Sequence, residues 1–185
     1  NLIILTFRPS KTSKAYKEIW MEGVNKSPLR YYSEKLTEKV ASRFSKEKVI
    51  VSLAMRYGTP SINDRINYLH KKGCEKIIAL PLYPQYAAAT FASVCDEVFR
   101  TFLKMRWQPS LQVVHHYSSN INYISALASS IKKKLASLNW TPDLIIASYH
   151  GIPKRYFLSG DPYHCYCHKT TRLVKEKLKI SVPIS

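Results

Sequence analysis

The side chains best suited to chemistry fall in four short runs. In the first, Ser148-Tyr149-His150-Gly151-Ile152-Pro153, an imidazole follows the apolar run Leu144-Ile145-Ile146-Ala147. A neutral imidazole there can ligate a metal ion or accept a proton near neutral pH. A strand-end histidine hydrogen-bonded to its own loop gives the same pattern. In the second run, Arg56-Tyr57, a guanidinium beside a phenol suits an anionic or aromatic ligand; an internal pairing of the arginine with a carboxylate is the alternative. The third, Tyr83-Pro84-Gln85-Tyr86, is an aromatic turn able to wall a flat pocket or simply to pack with its hydroxyls in water. The fourth, His164-Cys165-Tyr166-Cys167-His168, has the composition of a metal site. Structural zinc sites, however, draw spaced cysteine pairs from two places in the chain, and no second pair exists here. Ordinary thiols are the expectation.

These runs need a frame. Short apolar segments alternate with amphipathic ones along the chain. Strands are expected over 49–57, 77–82, 111–114 and 143–149. Helices are expected over 12–20, 33–44, 89–104, 121–138 and 170–178, and one more opens with the capping-box-like Ser61 and Asp64 and closes at Gly73. Such alternation implies an α/β fold with a parallel sheet covered on both faces. In sheets of this kind the working residues sit at the carboxyl ends of strands. Three of the four chemical runs, those around Arg56, Tyr83 and His150, fall at such ends.

Composition narrows the function. The chain has 185 residues, 45% of them hydrophobic, so a sizeable core is expected and wholesale disorder is excluded. Only five glycines occur, and neither the dinucleotide-binding glycine fingerprint nor the Walker phosphate loop is present. Twenty-nine basic residues against twelve acidic ones give a net charge of +17. The lysines are scattered over polar helix faces, with no arginine-rich helix or stacking motif, so no nucleic-acid partner is expected. The same charge can steer an anionic substrate, or rest peripherally on anionic lipid. The opening apolar run Leu2 to Leu5 is too short for a signal-peptide core. No stretch approaches eighteen uninterrupted apolar residues. A soluble, cytoplasmic protein with free thiols at Cys74, Cys95, Cys165 and Cys167 is therefore expected.

A resemblance sharpens this reading. The stretches that carry it are Arg8-Pro9 through Lys11, Ala15-Tyr16, Ile19-Trp20, Ser27-Pro28-Leu29, Met55-Arg56-Tyr57-Gly58 with Pro60-Ser61-Ile62, Pro81 to Ala89, Met105-Arg106-Trp107-Gln108-Pro109, Ser148 to Tyr156, and Gly160-Asp161-Pro162-Tyr163. In order and spacing the chain resembles the ferrochelatase family, and its bacterial branch most of all. These lyases insert ferrous iron into protoporphyrin IX to form protohaem. The resemblance implies two similar Rossmann-like, chelatase-type α/β domains with the porphyrin cleft between them. It makes His150 the catalytic histidine, assigned to metal binding or to pyrrole proton abstraction. It places Arg8, Tyr16 and Ser27 against the porphyrin or its propionates, and Arg56 and Tyr57 on the other side of the macrocycle. The partners implied are protoporphyrin IX and Fe2+, the iron being substrate. The residues agree in kind. A flat apolar dianion needs aromatic walls and cationic rims, and insertion requires two pyrrole protons to leave and a metal ion that is weakly held.

The resemblance also sets the boundaries. Family members begin with a strand and a loop that would precede Asn1, and their glutamate-bearing site would follow Ser185. By that comparison residues 1–117 form a first chelatase domain without its first strand, and residues 118–185 form a connecting helix and the start of a second, incomplete domain. The cluster cysteines of some relatives would also follow Ser185, so the sequence does not support an iron–sulfur cluster. Impaired or absent turnover by the chain alone is the corresponding expectation. A cobalt or nickel chelatase acting on another tetrapyrrole, and a porphyrin- or haem-binding remnant without chemistry, are the alternatives.

Overall fold

The structure is a computed structural model that describes residues 16–179 and 182–184. The expected porphyrin contact Arg8 lies outside the described residues. The chain forms two compact units, one running to Arg65 and the other from Ile66.

In the first unit a 3-10 turn, Glu22–Val24, is closed by Asn25 in a left-handed conformation. The helix α1 (Pro28–Arg43) follows. It starts earlier than the expected Ser33, because Ser27 caps it: the Ser27 Oγ accepts a hydrogen bond from the Arg30 amide at 3.3 Å. Pro28, which has no N–H to satisfy, occupies the first turn. Glu34 on α1 bonds Lys26 at 2.6 Å and Arg30 at 2.5 Å. The Arg30 guanidinium also donates to the Thr59 carbonyl, tying α1 to the 55–61 loop.

The strand expected over 49–57 does not form. One parallel bridge pairs Met55 with Ser61, and residues 49–54 carry no regular structure. Val49 and Ile50 are 48% and 43% exposed. An apolar run becomes a strand only where a neighbour supplies ladder donors and acceptors. Among the described residues none does so here.

The helix α2 (Ile62–Lys71) begins and ends as its sequence dictates. Ser61 Oγ accepts from the Asp64 amide at 3.1 Å. At the other end Gly73 has φ of +78°, with its N–H on the His70 carbonyl and the Cys74 N–H on the Leu69 carbonyl. That pair of bonds is a Schellman closure, and it requires a left-handed residue at Gly73.

In the second unit, β1 (Lys76–Ala79) and β2 (Ser110–Val113) pair in parallel, Lys76 opposite Ser110 and Ala79 opposite Val113. The right elements are joined in the expected sense, so the architecture is α/β. The sheet is smaller and less covered than the pattern implied: Ile77 is buried, but Ile78 is 57% exposed. The expected strand over 143–149 shrinks to one bridge, Ile145 to Ile184, with the Ile145 amide donating to the Pro183 carbonyl at 3.0 Å. Pro183 has no N–H with which to continue the ladder toward Asp143.

Four further helices complete the unit. A π-helical turn, Ala88–Ala92, leads into α3 (Ser93–Phe102), which buries Val98 and Phe102. Then come α4 (Ile121–Ala136), capped by Asn120, the short α5 (Lys154–Leu158), and α6 (Tyr163–Leu178). The core lies between α4 and α6, where Ile124 and Ala128 pack with Val174 and Leu178.

The last helix corrects the sequence reading most. It was expected to begin at Thr170 and instead begins at Tyr163, so His164, Cys165 and Cys167 lie on a helix rather than in a loop. The buried residues Cys167, Thr170, Val174 and Leu178 recur at helical spacing, with the cysteine acting as a small apolar side chain. Asp161 sets the start. One carboxylate oxygen accepts the Tyr163 amide at 3.0 Å, and the other accepts the Ala88 amide at 2.8 Å. Asp161 is itself buried, so Asp161→Ala leaves two N–H groups without their acceptor. The expected cost is about 1–3 kcal/mol, read as a lower urea midpoint. An unchanged midpoint contradicts the assignment.

Candidate active site around His150

His150 lies in the second unit, on a segment without regular structure that shares a cavity with α6. Two tyrosines fasten that segment. The Tyr149 hydroxyl bonds Thr171 Oγ1 at 2.9 Å. The Tyr163 phenol sits against the buried Cys167 thiol and the His150 main chain. Burial pushes the Tyr163 pKa up, the Cys167 thiol adds to the rise, and the hydrogen bond with the His150 main chain works against it. Burial likewise pushes the Cys167 thiol up, with Tyr163 opposing. At neutral pH both groups therefore keep their protons, and the wall behind His150 carries no charge from them.

A cavity of about 540 Å³ opens at this point. Its walls are the Ala147–Ile152 segment with His150, Lys154 and Phe157 of α5, and the Tyr163, His164, Cys167 and His168 side of α6. The volume falls within the range of small-molecule sites. It combines apolar and aromatic surface with one ammonium group and three imidazoles. Such a site can take a flat, partly anionic ligand and offer a base or an imidazole ligand for a transition-metal ion. Among the described residues no group of three or more histidine, cysteine, aspartate or glutamate side chains converges to hold a metal ion.

α6 is fixed from behind by long-range bonds. Thr170 Oγ1 donates to the Ser118 carbonyl at 2.9 Å and accepts from Gln85 Nε2 at 3.0 Å. Gln85 is thus a brace for the helix that carries the site. Its neighbour Tyr86 packs, with its ring centroid 5.2 Å from that of Phe91 and 6.0 Å from that of His115. The aromatic turn supports the site without lining this cavity.

His116 stacks on Tyr166 of α6 at 4.1 Å and meets Ser118 Oγ at 3.3 Å. Burial, helped by His115 and Lys169, lowers its pKa from the ordinary 6.5. The folded protein therefore binds fewer protons here than the unfolded chain does. Stability is full above the unfolded pKa and falls as pH drops below it toward the folded one. Replacing His116 with phenylalanine keeps the stack and is expected to flatten the change in urea midpoint between pH 7.5 and pH 5.5. An equally steep change in the variant contradicts this.

The first unit holds the remaining expected contacts. Arg56 places its guanidinium 4.6 Å from the centre of the Tyr57 ring, and Tyr57 is 73% exposed. The bond from Arg30 to Thr59 links this pair's loop to the helix that Ser27 caps. Ser27 therefore has a structural task in addition to its expected contact. Tyr16 is helical and exposed.

The sequence matches the ferrochelatase family over residues 1–185. The chain belongs to the ferrochelatase family. It is 56% identical over 177 residues to the ferrochelatase of Allorhizobium ampelinum, and 54% identical over 177 residues to that of Rhizobium meliloti. Each of these matches covers 95% of this chain and 52% of the relative. The ferrochelatase of Francisella tularensis subsp. novicida is 47% identical over 183 residues, covering 99% of this chain and 54% of its own length. The chain thus spans about half the length of the curated relatives it matches.

Within this ferrochelatase half, sequence reasoning singled out His150 but missed the side chains around it. Tyr163 had a signal, since it ends the Gly160-Asp161-Pro162-Tyr163 stretch. His164 and His168 were read as parts of a cysteine-centred motif, and their helical spacing of four was the cue left unused. Among the described residues no helix is long and apolar enough to cross a membrane.

Proposed function

We propose that this chain carries the His150 half of a ferrochelatase site, which inserts ferrous iron into protoporphyrin IX to give protohaem. One observation supports the reading above others: in a chain of the ferrochelatase family, His150 lines a cavity of about 540 Å³ walled by aromatic and apolar side chains. Insertion replaces two pyrrole N–H protons with one metal ion. The neutral imidazole of His150 accepts a pyrrole proton or holds the incoming ion, and both tasks use the same ring nitrogen lone pair. Lys154 offers a cation for a propionate, and Phe157 offers ring surface to the macrocycle. Arg8, Tyr16, Ser27, Arg56 and Tyr57 are assigned the remaining porphyrin contacts, from the resemblance.

Ferrous iron enters as substrate, and the reading uses no resident cofactor and no iron–sulfur cluster. Residues 1–117 and 118–185 are assigned to the family's two domains. The setting is the cytoplasm, and the net charge of +17 suits peripheral contact with anionic lipid.

Titrating protoporphyrin IX with the intact chain tests the first half of the proposal. Saturable quenching of porphyrin fluorescence that weakens in Lys154→Glu is the expected result. No saturable binding, or binding indifferent to that charge reversal, overturns the placement.

A further inference from the structure

We propose that His164 and His168 form a metal site of their own, a two-imidazole chelate for a divalent transition-metal ion on the α6 wall of the His150 cavity. The residues are four apart on one helix, and therefore on one face and one turn. Their ring centroids lie 4.4 Å apart with planes inclined at 67°. That separation is compatible with a shared ion. A metal–nitrogen bond of about 2.0–2.1 Å puts each ring centre about 3.2 Å from the ion, so two rings at right angles around it stand about 4.5 Å apart. The chelate can thus form with little movement of the helix.

The surroundings favour an open and weak site. Both histidines are exposed, so an ion can arrive with much of its water shell and keep its remaining positions open. Cys167, between them in sequence, is buried against Tyr163 and is not a third ligand. The Lys154 ammonium on the same cavity repels a cation and limits affinity. Imidazole pairs select zinc, copper, nickel, cobalt or ferrous ions over magnesium or calcium. The proposed function enters only in naming ferrous iron as the natural occupant.

Binding of Co2+ and Ni2+ to the intact chain, by isothermal titration and by the cobalt absorption spectrum, tests the site. One ion is expected per chain on this pair. His164→Ala and His168→Ala should each weaken it about 100-fold or more, because one ring alone has lost the chelate. The double variant should be little worse than either single one. His115→Gln, which removes an exposed imidazole outside the cavity, should leave this binding intact. His164→Gln and His168→Gln, with helical circular dichroism preserved, guard against loss of fold as the cause. Affinity unchanged in the pair variants, or lost equally in His115→Gln, overturns the proposal. The assay contains no porphyrin and needs no turnover. A chain that binds metal on this pair but shows no saturable binding of protoporphyrin IX therefore refutes the function and leaves the site standing.

Discussion

Replacing His150 with alanine is expected to lower protohaem formation by about 10²–10⁴-fold, the usual contribution of a positioned acid–base group. The measurement is made in a hybrid in which this chain replaces the matching 52% of the Allorhizobium ampelinum relative. Porphyrin affinity should change little, because the ring contributes one contact among many in a cavity of about 540 Å³. The loss should therefore fall on kcat rather than on porphyrin KM. His150→Gln retains polar atoms and approximate size but cannot take up a proton near neutral pH, and it should be nearly as impaired. Partial rescue of the alanine variant by added imidazole would assign the loss to the missing ring nitrogen. Full activity in either variant removes His150 from the mechanism.

The second large effect is on stability. Leu178 is 1% exposed and closes the core in which α4 packs on α6 through Ile124, Ala128 and Val174. Leu178→Ala removes methyl groups and leaves a cavity that two anchored helices close only in part. The expected cost is about 2–5 kcal/mol, seen as a marked fall in urea midpoint. Leu178→Met, nearly equal in volume, should cost under about 1.5 kcal/mol. Because α6 carries Tyr163, His164 and His168, the alanine variant should also weaken the His150 cavity. A midpoint unchanged in Leu178→Ala contradicts the packing.

The parts of this fold that sequence describes well are those decided locally. Ser61, Asp64 and Gly73 bound α2 through bonds made within a few residues of one another. The start of α6 was misplaced because its fastening is distant: Asp161 also holds Ala88, and Thr170 holds Gln85 and Ser118. The expected strands at 49–57 and 143–149 failed for a related reason. Their apolar runs are genuine, but a strand belongs to a pair, and residues 49–54 and most of 143–149 have no ladder partner among the described residues. β1 and β2 found each other and formed.

The candidate site divides in the same way. His150 stands out by its place after an apolar run and before Gly151 and Pro153. Its supports do not, since Tyr149 reaches Thr171 and Tyr163 reaches back to the His150 main chain across intervening sequence. Arg56 and Tyr57 are neighbours in the chain and stay neighbours in space.

The most direct test is the rate at which the unmutated hybrid makes protohaem from ferrous iron and protoporphyrin IX, set beside its Allorhizobium ampelinum parent. A rate within about tenfold of the parent, a barrier difference of about 1.4 kcal/mol or less, is the predicted result. A folded hybrid that quenches porphyrin fluorescence yet yields no haem would show that this half binds the macrocycle without supplying the chemistry.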